Sequence, residues 1–290
     1  MTTADVFILR SCTVDDWVRD HGLPRRPGPS PACSASAILP FALARELLGY
    51  DAERRSRRVV RAEWRPRFPD IPHQSELHRR RRGLQGALAL RRQHGVAAVP
   101  ASTGDWLAID TPPLPVKPPR RVRGPDHWAG PDGRHAGFGR GAAKALWFYG
   151  CRLAVLAPLL TSLPLVWALV PAAVNARAVA EWLLEALHDL QLLVDKGFRG
   201  KTFAATLAEQ AITVLVPPTT AERDAMPAAD RAFIAAHRNR SEGSVTRAKD
   251  QFHLEQHRAL SFWGLRARVT TRLAALTLDH RWRHAGLALA

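Results

Sequence analysis

Cysteine is scarce in this chain, and acids are well outnumbered by bases. Only Cys12, Cys33 and Cys151 occur, odd in number and far apart. That excludes a disulfide framework and suits a reducing compartment. No Cys-x2-Cys pair exists, so a cysteine zinc site is not expected. Lysine is confined to positions 117, 144, 196, 201 and 249, so nearly all of the positive charge is arginine. The N-terminus holds Asp5, Asp15 and Asp16 and no basic stretch followed by an apolar run, which argues against a secretory leader. A Gly-x-Ser-x-Gly nucleophile elbow is missing, and no cysteine has a catalytic signature around it. No internal repeat is visible.

What is present begins with charge. The chain has 290 residues, enough for one large domain or two modest ones with a real core, and a formal net charge of +16. A balance this basic points to nucleic acid or an anionic membrane surface. A GC-rich genome explains arginine over lysine but not the excess over acids, so polyanion binding is the expectation. Leu153 to Val174 contains no charged residue and is long enough to span a bilayer. Pro158, Pro164 and Pro171 interrupt it, with Thr161-Ser162 in the middle. That punctuation predicts two buried strands joined by a turn rather than a membrane helix.

Residues 1–104 read as a mainly helical, arginine-rich unit suited to docking on a phosphate backbone. Ser36 is the expected cap of a helix through Leu48, with further helices over 52–64 and 74–94. From Trp106 onward, short apolar runs alternate with helical patterns, which predicts an α/β domain over 105–290. Leu107 to Asp110 reads as a strand ending in an acid, and residues 120–144 as a basic, glycine-rich loop. Residues 147–157 and 163–170 read as a hairpin, followed by a helix over 176–187. Next come a strand delivering Asp195, a helix over 202–210 and a strand over 212–216. A helix bearing Glu242 and a last helix over 262–278 complete the order.

Two stretches concentrate the chemistry. Leu-Gln-Leu-Leu-Val-Asp195-Lys-Gly is an apolar run delivering an acid at the strand end where α/β sheets hold their ligands. Arg238-x3-Glu242-x6-Lys249 places its three charges on one face of a helix. Asp110, Asp195 and Glu242 converging would suit two Mg²⁺ ions beside a phosphodiester, because Mg²⁺ prefers oxygen ligands and keeps several waters. Taken singly, each acid reads more readily as a cap or a solvated carboxylate.

With these residues in view the chain resembles the DDE transposases of bacterial insertion sequences. Trp147-Phe-Tyr-Gly, Leu163-Pro-Leu, Asp195-Lys-Gly-Phe-Arg-Gly, Gln251-Phe-His-Leu-Glu and His257-Arg-Ala all look like segments of that family. The resemblance implies an RNase H-like mixed β-sheet flanked by helices, behind the mainly helical N-terminal region. It implies that Asp110, Asp195 and Glu242 bind two Mg²⁺ ions, with Mn²⁺ able to substitute. It also implies that Arg238 and Lys249 hold DNA phosphates, and Lys196 and Arg199 are counted with them. The implied partner is double-stranded DNA, both terminal inverted repeats and target, bound by a homodimer in the cytoplasm at the nucleoid and not at a membrane. The sequence departs from the family pattern at Ala235, where some members have tyrosine, and at Ser241, where an apolar residue is usual. Gly243, directly after Glu242, also lowers helix propensity.

Other readings stay open. A catalytically inactive DNA-binding relic, or a nuclease of the same fold without strand transfer, would keep the basic surface. A membrane-associated protein would use 153–174. His253 and His257, one helical turn apart, could grip zinc, but a surface or capping role is preferred. Gly137-Phe-Gly-Arg-Gly141 suits phosphate yet lacks the ending of a P-loop, so a mobile basic loop near DNA is preferred. Trp128, Trp147 and Trp263 could stack on bases, with core packing the expected fate of Trp147 and Trp263.

Overall fold

A computed structural model describes residues 3–23, 31–50, 53–63, 65, 70–99, 106–123, 128–130, 133–141 and 146–286. Within that span, the side chains of 3–11, 53, 129–130, 133–134 and 238–245 lie outside the described residues. The chain divides into two compact units, Met1–Val99 with Gln251–His253 and Trp263–Ala290, and Pro100–Asp250 with Leu254–Phe262. Residues 263–286, which the sequence reading places in the α/β domain, cluster with the N-terminal helices.

The first unit contains α1 (Thr3–His21), α2 (Ala35–Leu47), α3 (Glu53–Glu63), α4 (Gln74–Gly83), α5 (Gln85–Ala97) and the chain's last helix, α9 (Phe262–His284). Ser34, not Ser36, caps α2. Its Oγ accepts the Ala37 N–H at 3.0 Å, satisfying one of the donors that a helix start leaves open. The single helix expected over 74–94 is two, because the chain turns at Leu84, whose N–H is shared by the carbonyls of Arg80 and Arg81. Ile38, Leu39, Leu77, Leu88, Leu265 and Val269 are buried in its core. Thr270, Thr271 and Thr277 are buried there too, and each hydroxyl donates to a carbonyl four residues back. Buried Glu46 sits between two guanidiniums, Arg45 at 2.7 Å and Arg272 at 3.3 Å.

The second unit is built on one mixed sheet. Its strands are β1 (Trp106–Asp110), β2 (Pro113–Lys117), β5 (Gly137–Arg140), β6 (Trp147–Pro158), β7 (Val166–Pro171), β8 (Gln191–Leu193) and β9 (Thr213–Leu215). A separate small hairpin, β3 (Ala129–Gly130) with β4 (Gly133–Arg134), precedes β5. The twelve-residue β6 is the spine, antiparallel to β1 and β2 along one edge and to β5 and β7 along the other. Beyond β1 the strands β8 and β9 continue the sheet in parallel. The order β7-β6-β1-β8-β9, three antiparallel strands followed by two parallel ones, is the RNase H-like arrangement expected from the sequence. The residues 153–174 therefore form a hairpin, and among the described residues no helix is long and apolar enough to cross a membrane.

Alternation along the strands sorts the core onto two faces. On one, Ile109, Ala154, Leu156, Leu192 and Val194 are covered by α6 (Ala176–Leu184) and α7 (Lys201–Ala208) through Ala180, Leu184, Phe203 and Leu207. On the other, Ala108, Leu159 and Leu193 receive Ile234 of α8 (Ala228–Asp250), with Phe233 packed 4.3 Å from Trp106. Burying Ile234 anchors α8 by about 2–5 kcal/mol, the usual cost of truncating such a side chain. β2 carries Pro113 and Pro115 within the strand, tolerated because it has a single ladder partner, β6.

Candidate active site

β1 and β8 run side by side in parallel, with Trp106, Leu107 and Ala108 opposite Gln191, Leu192 and Leu193. Continuing that register by two residues brings Asp110 level with Asp195. Both follow the alternation of Ala108 and Leu193, so both carboxylates belong to the face that α8 covers. Neighbouring strands lie ~4.8 Å apart, which sets the scale of the separation. The local chemistry of the two acids is also alike. Asp110 Oδ1 accepts the N–H of Thr111 at 2.7 Å, and Asp195 Oδ1 accepts the N–H of Lys196 at 2.7 Å. Each carboxylate is thus held by the backbone that turns away from its strand. Asp195 is exposed and Asp110 half-buried.

Helix α8 passes over these strand ends. It is seated on Ala108 and Leu193 at Ile234, and its other end leads into a short 3-10 turn, Leu254–Gln256, that contacts β2. Because β2 continues past the C-terminal end of β1 along β6, the helix runs in the direction of β1 and carries Glu242 beyond Ile234 by ~12 Å. Glu242 and Arg238 lie within α8, and their side chains are outside the described residues. Among the described residues no group of three His, Cys, Asp or Glu forms a metal cluster. The two aspartates are the described members of the three acids expected from the sequence, and carboxylate oxygens suit a hard divalent cation.

The expected phosphate-binding residues divide. Lys196 is exposed and lines a cleft of about 490 Å³ beside Asp195, together with Arg223, Arg231, Pro217 and Thr219. Lys249 reaches Glu255 at 3.0 Å. Arg199 is engaged within the fold, pairing with Glu222 and donating to the Pro217 carbonyl. Glu222 is held well below the ordinary carboxylate range, at about 2, chiefly because the backbone N–H of Thr219 donates to it and then because Arg199 does. Arg199 therefore braces the 217–222 turn that forms one wall of the cleft.

Arg223 and Arg231 were not singled out from the sequence. Arg231 stands seven residues before Arg238, two helical turns away on the same stripe, and that spacing was the available signal. Arg231 donates to the Arg223 carbonyl at 2.6 Å, so the two are coupled across the cleft mouth. The tryptophans reverse their expected roles. Trp128 is buried, whereas Trp147 and Trp263 are exposed.

No curated protein and no solved structure matches the chain. A family model described as a transposase DDE domain matches residues 102–278, more than half of the chain and spanning Asp110, Asp195 and Glu242.

Proposed function

The chain belongs to the transposase DDE domain family, and from that premise we propose that it works at the ends of a bacterial insertion sequence. It cuts a phosphodiester there and joins the freed 3′-hydroxyl to target DNA. The observation that carries the proposal is the level pairing of Asp110 with Asp195 under α8. Two carboxylates at the open ends of parallel strands, below a basic helix, favour a charged phosphodiester chemistry over any apolar ligand.

In the first step a water oxygen bonds to phosphorus while the bond to the 3′-oxygen breaks, and that oxygen leaves as a hydroxyl. In the second, this 3′-oxygen bonds to a target phosphorus, and the displaced target oxygen takes up the proton. Asp110 and Asp195, with Glu242 of α8, would hold Mg²⁺, or Mn²⁺ by the same oxygen preference. Bound there, the two-ion site supplies Lewis-acid charge and a more acidic water. Arg238, Lys249 and Lys196 position the backbone as charge-assisted donors, and Arg223 and Arg231 extend that basic track along the cleft. Lys249 exchanges Glu255 for phosphate when DNA arrives. Arg199, committed to Glu222, contributes through the turn it braces. Acting on two element ends calls for a homodimer on double-stranded DNA, working in the cytoplasm at the nucleoid.

Plasmid cleavage at the element's own ends, in Mg²⁺ and in EDTA, tests the proposal. Metal-dependent cutting that vanishes in Asp195→Ala supports it, and pre-cut ends then test joining separately from nuclease action. Gly243 beside Glu242 favours a second reading, a relic that holds DNA without cutting, because glycine costs a helix interior ~1 kcal/mol. DNA binding without cutting in either metal selects the relic.

A further inference from the structure

Along β5 the sequence Gly137-Phe138-Gly139-Arg140 alternates for a physical reason. The glycines face the turn that follows β7, and a Cβ at Gly139 would stand 2.8 Å from both the Cβ and the carbonyl oxygen of Ala172. Only glycine fits at 139, while a Cβ at Gly137 would press on Ala173 at 3.1 Å. The opposite side is open and carries Phe138 and Arg140, whose partners across β6 are Tyr149 and Trp147. All four side chains therefore share one face of the sheet. Phe138 packs edge-on to Tyr149 with centroids 5.2 Å apart, and Lys117 of β2 places its ammonium 5.4 Å from the Tyr149 ring. Phe138 is 47% exposed and Trp147 65% exposed.

This is an aromatic surface edged with cations. Its setting is basic too, since residues 111–180 contain nine Lys and Arg against only Asp126 and Asp132. A partner that is anionic and offers flat π-faces complements both properties. We propose that this face is a stacking platform for unpaired DNA bases on a strand that flanks the cut, an inference that rests on the reading of the chain as acting on DNA.

Duplex DNA hides its base faces within the stack, whereas an unpaired base presents one. Sheets with two or three surface aromatics hold single strands by this means. The two-residue step between Trp147 and Tyr149 is ~6.7 Å, twice the ~3.4 Å spacing of bases along a strand, so the two rings meet alternate bases. Tyr149 lies six residues along β6 from Val155, the partner of Asp110, on the same alternation face. That is ~20 Å, about six nucleotides from the acids at the stacked spacing of ~3.4 Å.

The test uses the full chain without divalent metal and follows fluorescence anisotropy of two labelled probes. One is an oligothymidylate of about twenty nucleotides, longer than a single binding site, and the other a duplex of equal length. Trp147→Ala and Phe138→Ala are each expected to weaken oligothymidylate binding about tenfold and duplex binding less than about twofold. Trp147→Phe keeps the affinity. Trp182→Ala, an exposed position on α6 against the opposite face, changes neither probe. Unchanged oligothymidylate affinity in the Phe138→Ala, Trp147→Ala double variant overturns the platform. If that double variant sediments as a smaller species while binding is unchanged, the face is instead a contact between two copies of the chain. A wild-type chain that binds duplex but not oligothymidylate overturns the platform alone, and one that binds neither overturns the DNA reading with it.

Discussion

His257 spans 142 residues of sequence to donate its Nε2–H to the carbonyl of Pro115 at 2.9 Å. Its Nδ1 accepts the N–H of Ala259 at 3.0 Å, which fixes the ring as the Nε2–H tautomer. Both nitrogens of this buried imidazole are committed to backbone, so it is a brace and not an arm of a zinc grip. It ties the segment after α8 to the edge strand β2.

Replacing His257 by alanine leaves the buried N–H of Ala259 without its acceptor and takes a donor from the Pro115 carbonyl. The expected loss is about 1–3 kcal/mol in denaturant unfolding, with cleavage falling alongside because the end of α8 is released. A loss within experimental error of zero would count against the brace.

Asp110 and Asp195 repel each other wherever no cation lies between them. At the spacing of neighbouring strands, that repulsion is ~1 kcal/mol at the dielectric of water. Asp195→Asn is therefore expected to raise the melting temperature slightly in EDTA while lowering cleavage by on the order of a thousandfold or more. A melting temperature that falls instead would mean that Asp195 is held chiefly for its hydrogen bond to Lys196.

Glu222 predicts a pH dependence. Its carboxyl is lowered from the ordinary 4.5 to about 2, so its contribution is fully present above about 4.5 and is lost as pH falls towards 2. Wild type and Glu222→Gln should differ in stability at pH 6 and converge by pH 2. Parallel acid-unfolding curves, with a constant gap, would contradict the Thr219 and Arg199 contacts.

The three cysteines should separate by reactivity. Burial pushes the Cys151 thiol up to about 12, and its Sγ donates to the His135 carbonyl at 3.2 Å. Cys12 is exposed and Cys33 partly so. A thiol-reactive dye at pH 8 should label two thiols in the native chain and the third only in guanidinium.

The acids at strand ends were legible in the sequence because apolar runs terminated by Asp110 and Asp195 state both the strand and its polarity. The helix bearing Glu242 was legible from charge spacing. The long β6 was legible as well, since residues 147–157 read as a strand, but its partners β2 and β5 were not. β2 contains two prolines and β5 two glycines, residues that lower strand propensity everywhere except at an edge or under a close backbone, and only the fold supplies those conditions. Trp147 looked like core because tryptophan usually is. Its neighbours alternate in a way that buries Phe148 and exposes Trp147, and that choice belongs to the covering turn at Ala172 rather than to local pattern. The break at Leu84 did carry a signal, in the flanking Gly83 and Gly86, which weaken a continuous helix.

The last helix has a consequence for how the protein comes into being. α9 completes the helical unit begun by residues 1–99, with Arg272 closing on Glu46 in its interior. During synthesis the first five helices leave the ribosome long before their sixth partner is made. Translation from Val99 to His284 takes roughly 10–40 s at ordinary elongation rates. Throughout that interval the sheet unit can assemble, while the helical unit waits with its apolar faces and buried arginines unclosed. A chain stopped before residue 263 would never close them. Completion of the helical unit is thus a timer set by the ribosome, and only a chain read through α9 presents a finished one.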